Sequence, residues 1–199
     1  EGRFDYFSVN YSDYPRVYDL RNDLDALIMV VSPMDEHGYF STGPYFGETL
    51  GMLRNAKHVF VEVNKYLPRT FGQNFIHISQ VEALCEHDEP IFELPVGEPS
   101  ENDYKIGNII AEMVPDEATI QIGIGGVSGA LGKALAGKKD LGIHTEMFSD
   151  AMVELIECGA VTNEKKTINK RQSVSTFCFG SKKVYEYIDN NPSLVMLPV

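Results

Sequence analysis

The chain has 199 residues, 43% apolar and 23% charged, so it reads as globular and is long enough to bury a substantial core. A formal charge of -12 argues against a nucleic-acid surface, which needs clustered Lys and Arg, and no apolar run nears the roughly 20 residues of a membrane-spanning helix. Cys85, Cys158 and Cys178 are too few and too widely spaced for a disulfide framework or a zinc site, and no secretory signal opens the chain, so a reducing, cytoplasmic location is expected.

The opening residues carry many aromatic side chains (Phe4, Tyr6, Phe7, Tyr11, Tyr14, Tyr18) without a clean period and predict loop with short extended or helical pieces. Residues 25–32 (DALIMVVS) form a continuous apolar run of strand length, the pattern of a strand buried on both faces of a parallel sheet. A turn-rich loop follows at 33–39. Residues 44–55 read as a helix and 58–64 as a second strand, which completes a βαβ unit. Residues 65–77 read as loop, 79–86 as a short helix and 91–94 as a short strand. Breakers and acids crowd 95–103 with little to bury, so a boundary is expected there, separating parts of two α/β domains at 1–98 and 99–199.

Beyond the boundary a helix is predicted over 103–114 with Ile106, Ile109, Ile110 and Met113 on one face, then a strand over 118–122, a glycine loop over 123–126 and a helix over 127–136. A buried strand at 141–143 turns directly into a helix at 151–158, capped by Ser149 or Asp150, stopped by Gly159, and laying Met152, Leu155 and Ile156 on the sheet. A polar loop at 164–171, a strand at 173–179, a helix at 182–188 and the start of a strand at 194–197 complete the pattern. The fold class expected is α/β, with open, mostly parallel sheets and flanking helices. The absent initial Met and the apolar last residues suggest a piece of a longer chain.

Chemistry concentrates at 141–150. Glu146 falls at the carboxyl end of the predicted strand, where open α/β sheets bind ligands, although a Glu in so acidic a chain can equally be a solvated charge. Upstream, the turn Gln121-Ile-Gly-Ile-Gly-Gly-Val127 links a strand to a helix. It can hold an anion on backbone N–H groups, or merely permit close packing. It is no Walker loop, and the third glycine of a dinucleotide motif is replaced by Ser128. His144 would share a strand face with Glu146, but one His and one Glu do not make a metal site, so no metal is expected and both His144 and His37 are read as supporting residues. No Gly-x-Ser-x-Gly elbow occurs.

The segments Ile120-Gln-Ile-Gly-Ile-Gly-Gly-Val127 and Lys139-Asp-Leu-Gly-Ile-His-Thr-Glu-Met-Phe-Ser-Asp150 resemble the acetyl-CoA hydrolase/transferase family, which includes butyryl-CoA:acetate and 4-hydroxybutyrate CoA-transferases. Val31-Ser-Pro-Met-Asp-Glu-His-Gly-Tyr-Phe40, Val61-Glu-Val-Asn64, Leu67-Pro-Arg-Thr70 and Asn191-Pro192 fit the same family, whose members are about twice this long. The resemblance implies parts of two CoA-transferase domains, with Glu146 as catalytic nucleophile and Gly123, Ile124, Gly125, Gly126 and Val127 beside coenzyme A. Gln121, His37, Asn64 and Met147 are placed in the substrate pocket. Coenzyme A or acyl-CoA is expected as substrate, with no permanently bound cofactor and with a homo-oligomeric assembly. Met147, Phe148 and the loop from His37 to Phe40 serve either as pocket lining or as core, and Asn64 and Arg69 either position substrate or have surface roles.

An ionised carboxylate needs no general base to attack a thioester, and a thiolate is an acceptable leaving group. The implied reading is a ping-pong CoA-transferase acting on a short acyl-CoA and an acetate-type carboxylate. The alternatives are a hydrolase on the same scaffold, or a non-catalytic acyl-CoA-binding module.

Overall fold

The computed structural model describes residues 2, 6–20, 23–94 and 97–199; Phe4 and the two residues at 95 and 96 within the expected boundary lie outside them. The expected α/β class holds, and among the described residues six of the seven strand pairings are parallel.

After a short helix α1 (Tyr14–Leu20), strand β1 (Ala26–Val31) pairs in parallel with β3 (His58–Val63), which pairs in turn with β6 (Ala83–Glu86). Strand β2 (Tyr39–Ser41) and helix α2 (Thr49–Asn55) lie between β1 and β3 in the chain. The expectation of a doubly buried β1 is corrected: Leu27 and Val31 are buried, but Ile28 and Val30 are 77% and 41% exposed. Alternate strand residues point to opposite faces, and apolar sequence cannot report whether the second face is covered. The predicted helix at 79–86 is likewise wrong. A single 3-10 turn at Ile78–Gln80 precedes β6, and pairing with β3 sets its extended backbone. The helix expected at 44–55 forms only from Thr49, because Pro44 to Gly47 bond to residues 176–178.

The expected loop at 65–77 contains β4 (Phe71–Gly72) and β5 (Phe75–His77); β5 pairs antiparallel with β2. Residues 91–94 form no strand. They are held instead by Leu94 N–H donating to the Gly180 carbonyl at 2.9 Å and by Tyr185 Oη donating to that of Phe92 at 2.9 Å.

Helix α3 (Glu101–Met113) starts at a reciprocal cap in which Ser100 and Asp103 satisfy each other's N–H, a feature worth about 1 kcal/mol. Its buried residues are Gly107 and Ala111, whereas Ile106, Ile109 and Met113 of the expected face are 45%, 61% and 78% exposed. Small residues win the contact because α4 (Gly126–Leu135) crosses closely: a Cβ on Gly107 would lie 2.9 Å from Leu131 N.

Strand β7 (Thr119–Ile120) pairs in parallel with β8 (Gly142–Ile143). A short β9 (Met147–Phe148), absent from the expected strand-turn-helix, precedes α5 (Asp150–Glu157) and pairs with β11 (Phe177–Cys178). Met152 and Leu155 of α5 are buried as expected, and Gly159 stops the helix at φ 83°. The strand expected at 173–179 is split into β10 (Ser173–Ser175) and β11. Helix α6 (Lys182–Ile188) and β12 (Leu194–Met196) follow. Strand β12 lies between β10 and β4, so a strand from the first half of the chain joins a sheet of the second.

The larger core gathers Ile120, Leu141, Ile143, Phe148, Met152 and Ile188 among others, and a smaller one holds Val31, Phe40, Val59, Val61 and Ile76. Each fully buried aliphatic side chain contributes about 1.5–3 kcal/mol, which fixes the sheet ends that carry the site.

Candidate active site

Glu146 stands between β8 and β9 with its backbone firmly held. Its carbonyl accepts the N–H of Thr176 at 3.0 Å, the N–H of Phe177 at 3.1 Å and lies 3.0 Å from Ser175 Oγ. The residue is exposed, and no side chain of the described residues hydrogen-bonds its carboxylate. A rigid backbone thus presents a free carboxylate, the arrangement a nucleophile requires.

The donors holding Glu146 are themselves braced. Thr176 O accepts the N–H of Phe46 at 3.0 Å and of Gly47 at 3.3 Å, and the Pro44 carbonyl accepts Cys178 N–H at 2.7 Å. The 44–47 segment is therefore a docking strip that the expected helix would have destroyed. On the other side, Lys166 is only 2% exposed. Its ammonium donates to the carbonyls of Ile143 at 2.7 Å and Gln172 at 2.6 Å, tying the end of β8 to the start of β10. Burial lowers the Lys166 pKa, and burial followed by the Lys166 charge lowers that of His144. His144 is exposed and bridges to Val174.

The glycine loop leaves the buried Ile122 and opens α4. Gly125 has φ 115° and ψ 177°, a conformation open essentially only to glycine, and a Cβ on Gly123 or Gly125 would meet nothing within 4 Å. This loop borders a cleft of about 700 Å³ that Met147, Ser149 and Phe179 also line. Among the described residues the cleft carries four carboxylates, Glu98, Asp103, Asp150 and Glu154, against the single cation Lys133. Asp103 sits at the α4 N-terminus, where a Cβ on Gly126 would approach its Oδ2 to 2.3 Å. A charge pattern of this sign repels phosphate.

The structure thus gathers Gly123, Ile124, Gly125, Gly126 and Met147 around one cleft, with Glu146 adjacent to Met147 in sequence but not among the lining residues. Val127 lies in the first turn of α4, and Gln121 is exposed just after β7. Asn64 and His37 sit elsewhere, beyond the carboxyl ends of β3 and β1. Asn64 is buried, donating to the Glu89 carbonyl at 2.7 Å and accepting Tyr66 N–H at 2.9 Å, while exposed His37 lies 3.4 Å from Glu36. Arg69 pairs with Asp35 at 2.6 Å and lies over the Phe75 ring. Phe148 and Phe40 are core residues.

Sequence reasoning passed over Ser175, Thr176, Lys166 and a cluster formed by Tyr11, Tyr45 and Glu48. Lys166 follows another lysine in a polar loop, and nothing local distinguishes it from a solvated charge.

The sequence profile of the acetyl-CoA hydrolase/transferase N-terminal domain matches residues 1–94. The succinyl-CoA:cyclohexane-1-carboxylate CoA transferase of Geobacter metallireducens is 40% identical over 199 residues, covering 100% of this chain. Residues 1–94 thus match the N-terminal domain of the acetyl-CoA hydrolase/transferase family, and the whole chain is similar to a CoA transferase. Another relative in this family's reach, the 4-hydroxybutyrate coenzyme A transferase of Clostridium kluyveri, is 38% identical over 96% of the chain. The crystal structure of RipA from Yersinia pestis superposes with a TM-score of 0.91 at 38% identity, covering 98% of this chain and 45% of RipA. The chain spans 46% of the Geobacter relative and 45% of the Clostridium one, about half of each.

Proposed function

We propose that the protein is a CoA-transferase that moves coenzyme A between a short-chain acyl-CoA and an acetate-type carboxylate, with Glu146 as nucleophile. The observation that carries this reading is the free Glu146 carboxylate on a backbone held by two N–H donors, one residue before Met147 at the rim of a glycine-lined cleft. The Geobacter and Clostridium relatives, named as CoA transferases, support the class.

In the proposed path the Glu146 oxygen attacks the thioester carbon, forming an acyl-glutamyl anhydride and expelling the coenzyme A thiolate. The thiolate then attacks the glutamyl carbon, releasing the first carboxylate and leaving a glutamyl-CoA thioester. The acceptor carboxylate attacks that carbon and expels the thiolate, which takes the new acyl group and restores Glu146. No net proton is gained or lost. N–H groups of the glycine loop serve the acyl oxyanion, each donor worth about 3 kcal/mol. The uncharged pantetheine arm suits the acidic cleft, and its binding drives the attack of a weak nucleophile. Gln121, His37 and Asn64 belong to the proposed pocket only through parts of the site beyond this cleft.

Coenzyme A is a substrate in this reading, and no cofactor is retained. A division into parts of two CoA-transferase domains near residue 98 belongs to the same proposal, with 44–47 and β4 as docking elements. Cys85, Cys158 and Cys178 are free thiols, which supports a reducing, cytoplasmic location. The exposed Ile109 and Met113 support assembly into a homo-oligomer.

The test is mass spectrometry of the Glu146 peptide after mixing full-length protein with acyl-CoA and trapping with borohydride or hydroxylamine. Modification at Glu146 and loss of transfer in Glu146→Gln are expected. Modification elsewhere, or full activity in Glu146→Gln, overturns the nucleophile. Steady thioester loss after dialysis of all free carboxylate identifies a hydrolase instead, and binding without turnover a non-catalytic module.

A further inference from the structure

Strands β8 and β10 meet in parallel at one bridge, His144 with Val174, where Thr145 N–H donates to the Val174 carbonyl at 3.0 Å. Bonds along a parallel ladder recur at every second residue, so the next one down would run from Ile143 N–H to the Gln172 carbonyl. Side chains take its place. Asn163 Oδ1 accepts the Ile143 N–H at 2.9 Å, and the Lys166 ammonium donates to the Gln172 carbonyl at 2.6 Å. Two residues of one loop therefore stand where main chain would pair with main chain.

Asn163 is fixed in this place from several sides. It is 6% exposed, and its Nδ2 donates to Ser173 Oγ at 3.1 Å, so the one amide reaches from β8 to β10. Its φ of 58° lies in the left-handed region, which Asn tolerates better than most residues. There its N–H donates to the Leu141 carbonyl at 3.1 Å and its carbonyl accepts Arg171 N–H at 3.0 Å. A continued ladder would satisfy the same strand groups without burying an amide and a charge, so the substitution calls for a reason.

The reason lies just above it in the chain. Paired strands run about 4.8 Å apart, and an amide inserted at Ile143 keeps β8 and β10 from closing to that spacing below the bridge. Beyond the plug the chain is gripped at Thr145 by Val174 and at the Glu146 carbonyl by Thr176 and Phe177. We propose that Asn163 is a positioning residue for Glu146: with Lys166 it ends the β8–β10 ladder one bond below the bridge and so sets the direction in which β8 delivers Glu146 toward the cleft. The inference rests on Glu146 being the nucleophile. Asn163 acts through the backbone of Ile143 and is not among the residues that line the cleft.

The test uses the full-length protein. Asn163→Gly removes the plug and leaves a residue at home in the left-handed region, while Asn163→Asp keeps the acceptor for Ile143 N–H. Asn163→Gly should lower kcat about tenfold or more with KM for acyl-CoA changed less than about threefold, because a misplaced nucleophile slows attack while the cleft keeps its shape. Single-turnover labelling of Glu146 by acyl-CoA should slow in proportion, and Asn163→Asp should restore most of the rate. Wild-type kcat in Asn163→Gly overturns the inference, as do equal losses in both variants or a loss that only tracks a fall in unfolding temperature. Should Asn163→Gly fail to fold, Ser173→Ala decides by freeing the Nδ2 arm: a severalfold fall in kcat supports the plug, and wild-type kcat overturns it. Trapping keeps the two readings apart. A labelled Glu146 with an indifferent Asn163→Gly sinks only the plug, whereas an unlabelled Glu146 in the wild type sinks the nucleophile and the plug with it.

Discussion

The Lys166 ammonium donates to the Ile143 carbonyl at 2.7 Å, placing a buried cation three residues before Glu146. A second bond to Gln172 makes it a clamp between β8 and β10, and its stem fills the space beside Gly142, where a Cβ would lie 2.5 Å from Lys166 Cγ. Replacing the clamp with Lys166→Met keeps the stem but leaves two inward carbonyls without their donor. Unmade hydrogen bonds in the interior cost about 1–3 kcal/mol each, partly offset by relief from burying the charge. A net loss of stability in denaturant titration is expected, with slower transfer; unchanged stability would show that the carbonyls find other donors.

Gly125 offers a second test because its backbone lies where a side chain is strained even though space is open. Gly125→Ala should lower stability by about 1–3 kcal/mol and raise KM for acyl-CoA through a displaced loop. Thermal unfolding and steady-state kinetics measure the two effects. An alanine variant with wild-type values on both would mean that the loop readily adopts another conformation.

The His144 pKa is depressed in the fold, chiefly by partial desolvation of a residue that stays exposed and then by Lys166. The unfolded chain therefore binds more protons as pH falls below its ordinary value of about 6.5, and the stability this group contributes is present above that value. It is lost as pH falls through the folded pKa. His144→Gln should flatten stability against pH in this acidic window, while Lys166→Met should move the His144 titration upward, as followed by NMR of the ring. A titration unmoved by Lys166→Met would disprove the coupling.

Much of the second half was legible from local pattern. Met152 and Leu155 repeat on one face of α5, Gly159 ends it, and the glycine turn precedes α4. Residues 79–86 misled because an apolar segment of this length is compatible with helix or strand; only the free edge of β3 selects the strand. Tyr11 and Thr176 are far apart in sequence, and no periodicity announces that their hydroxyls are buried near each other.

The sequence by itself determined the alternation of strands and helices, the turn at Gly123–Gly126, and a carboxylate at position 146 near a strand end. These depend on backbone preference and on side-chain period, which act over a few residues. Tertiary structure alone decided which apolar faces are covered, that 44–47 docks on 176–178, and that Lys166 is interior. Such features arise when distant segments compete for the same surface and the same backbone hydrogen bonds, and local sequence carries no record of that competition.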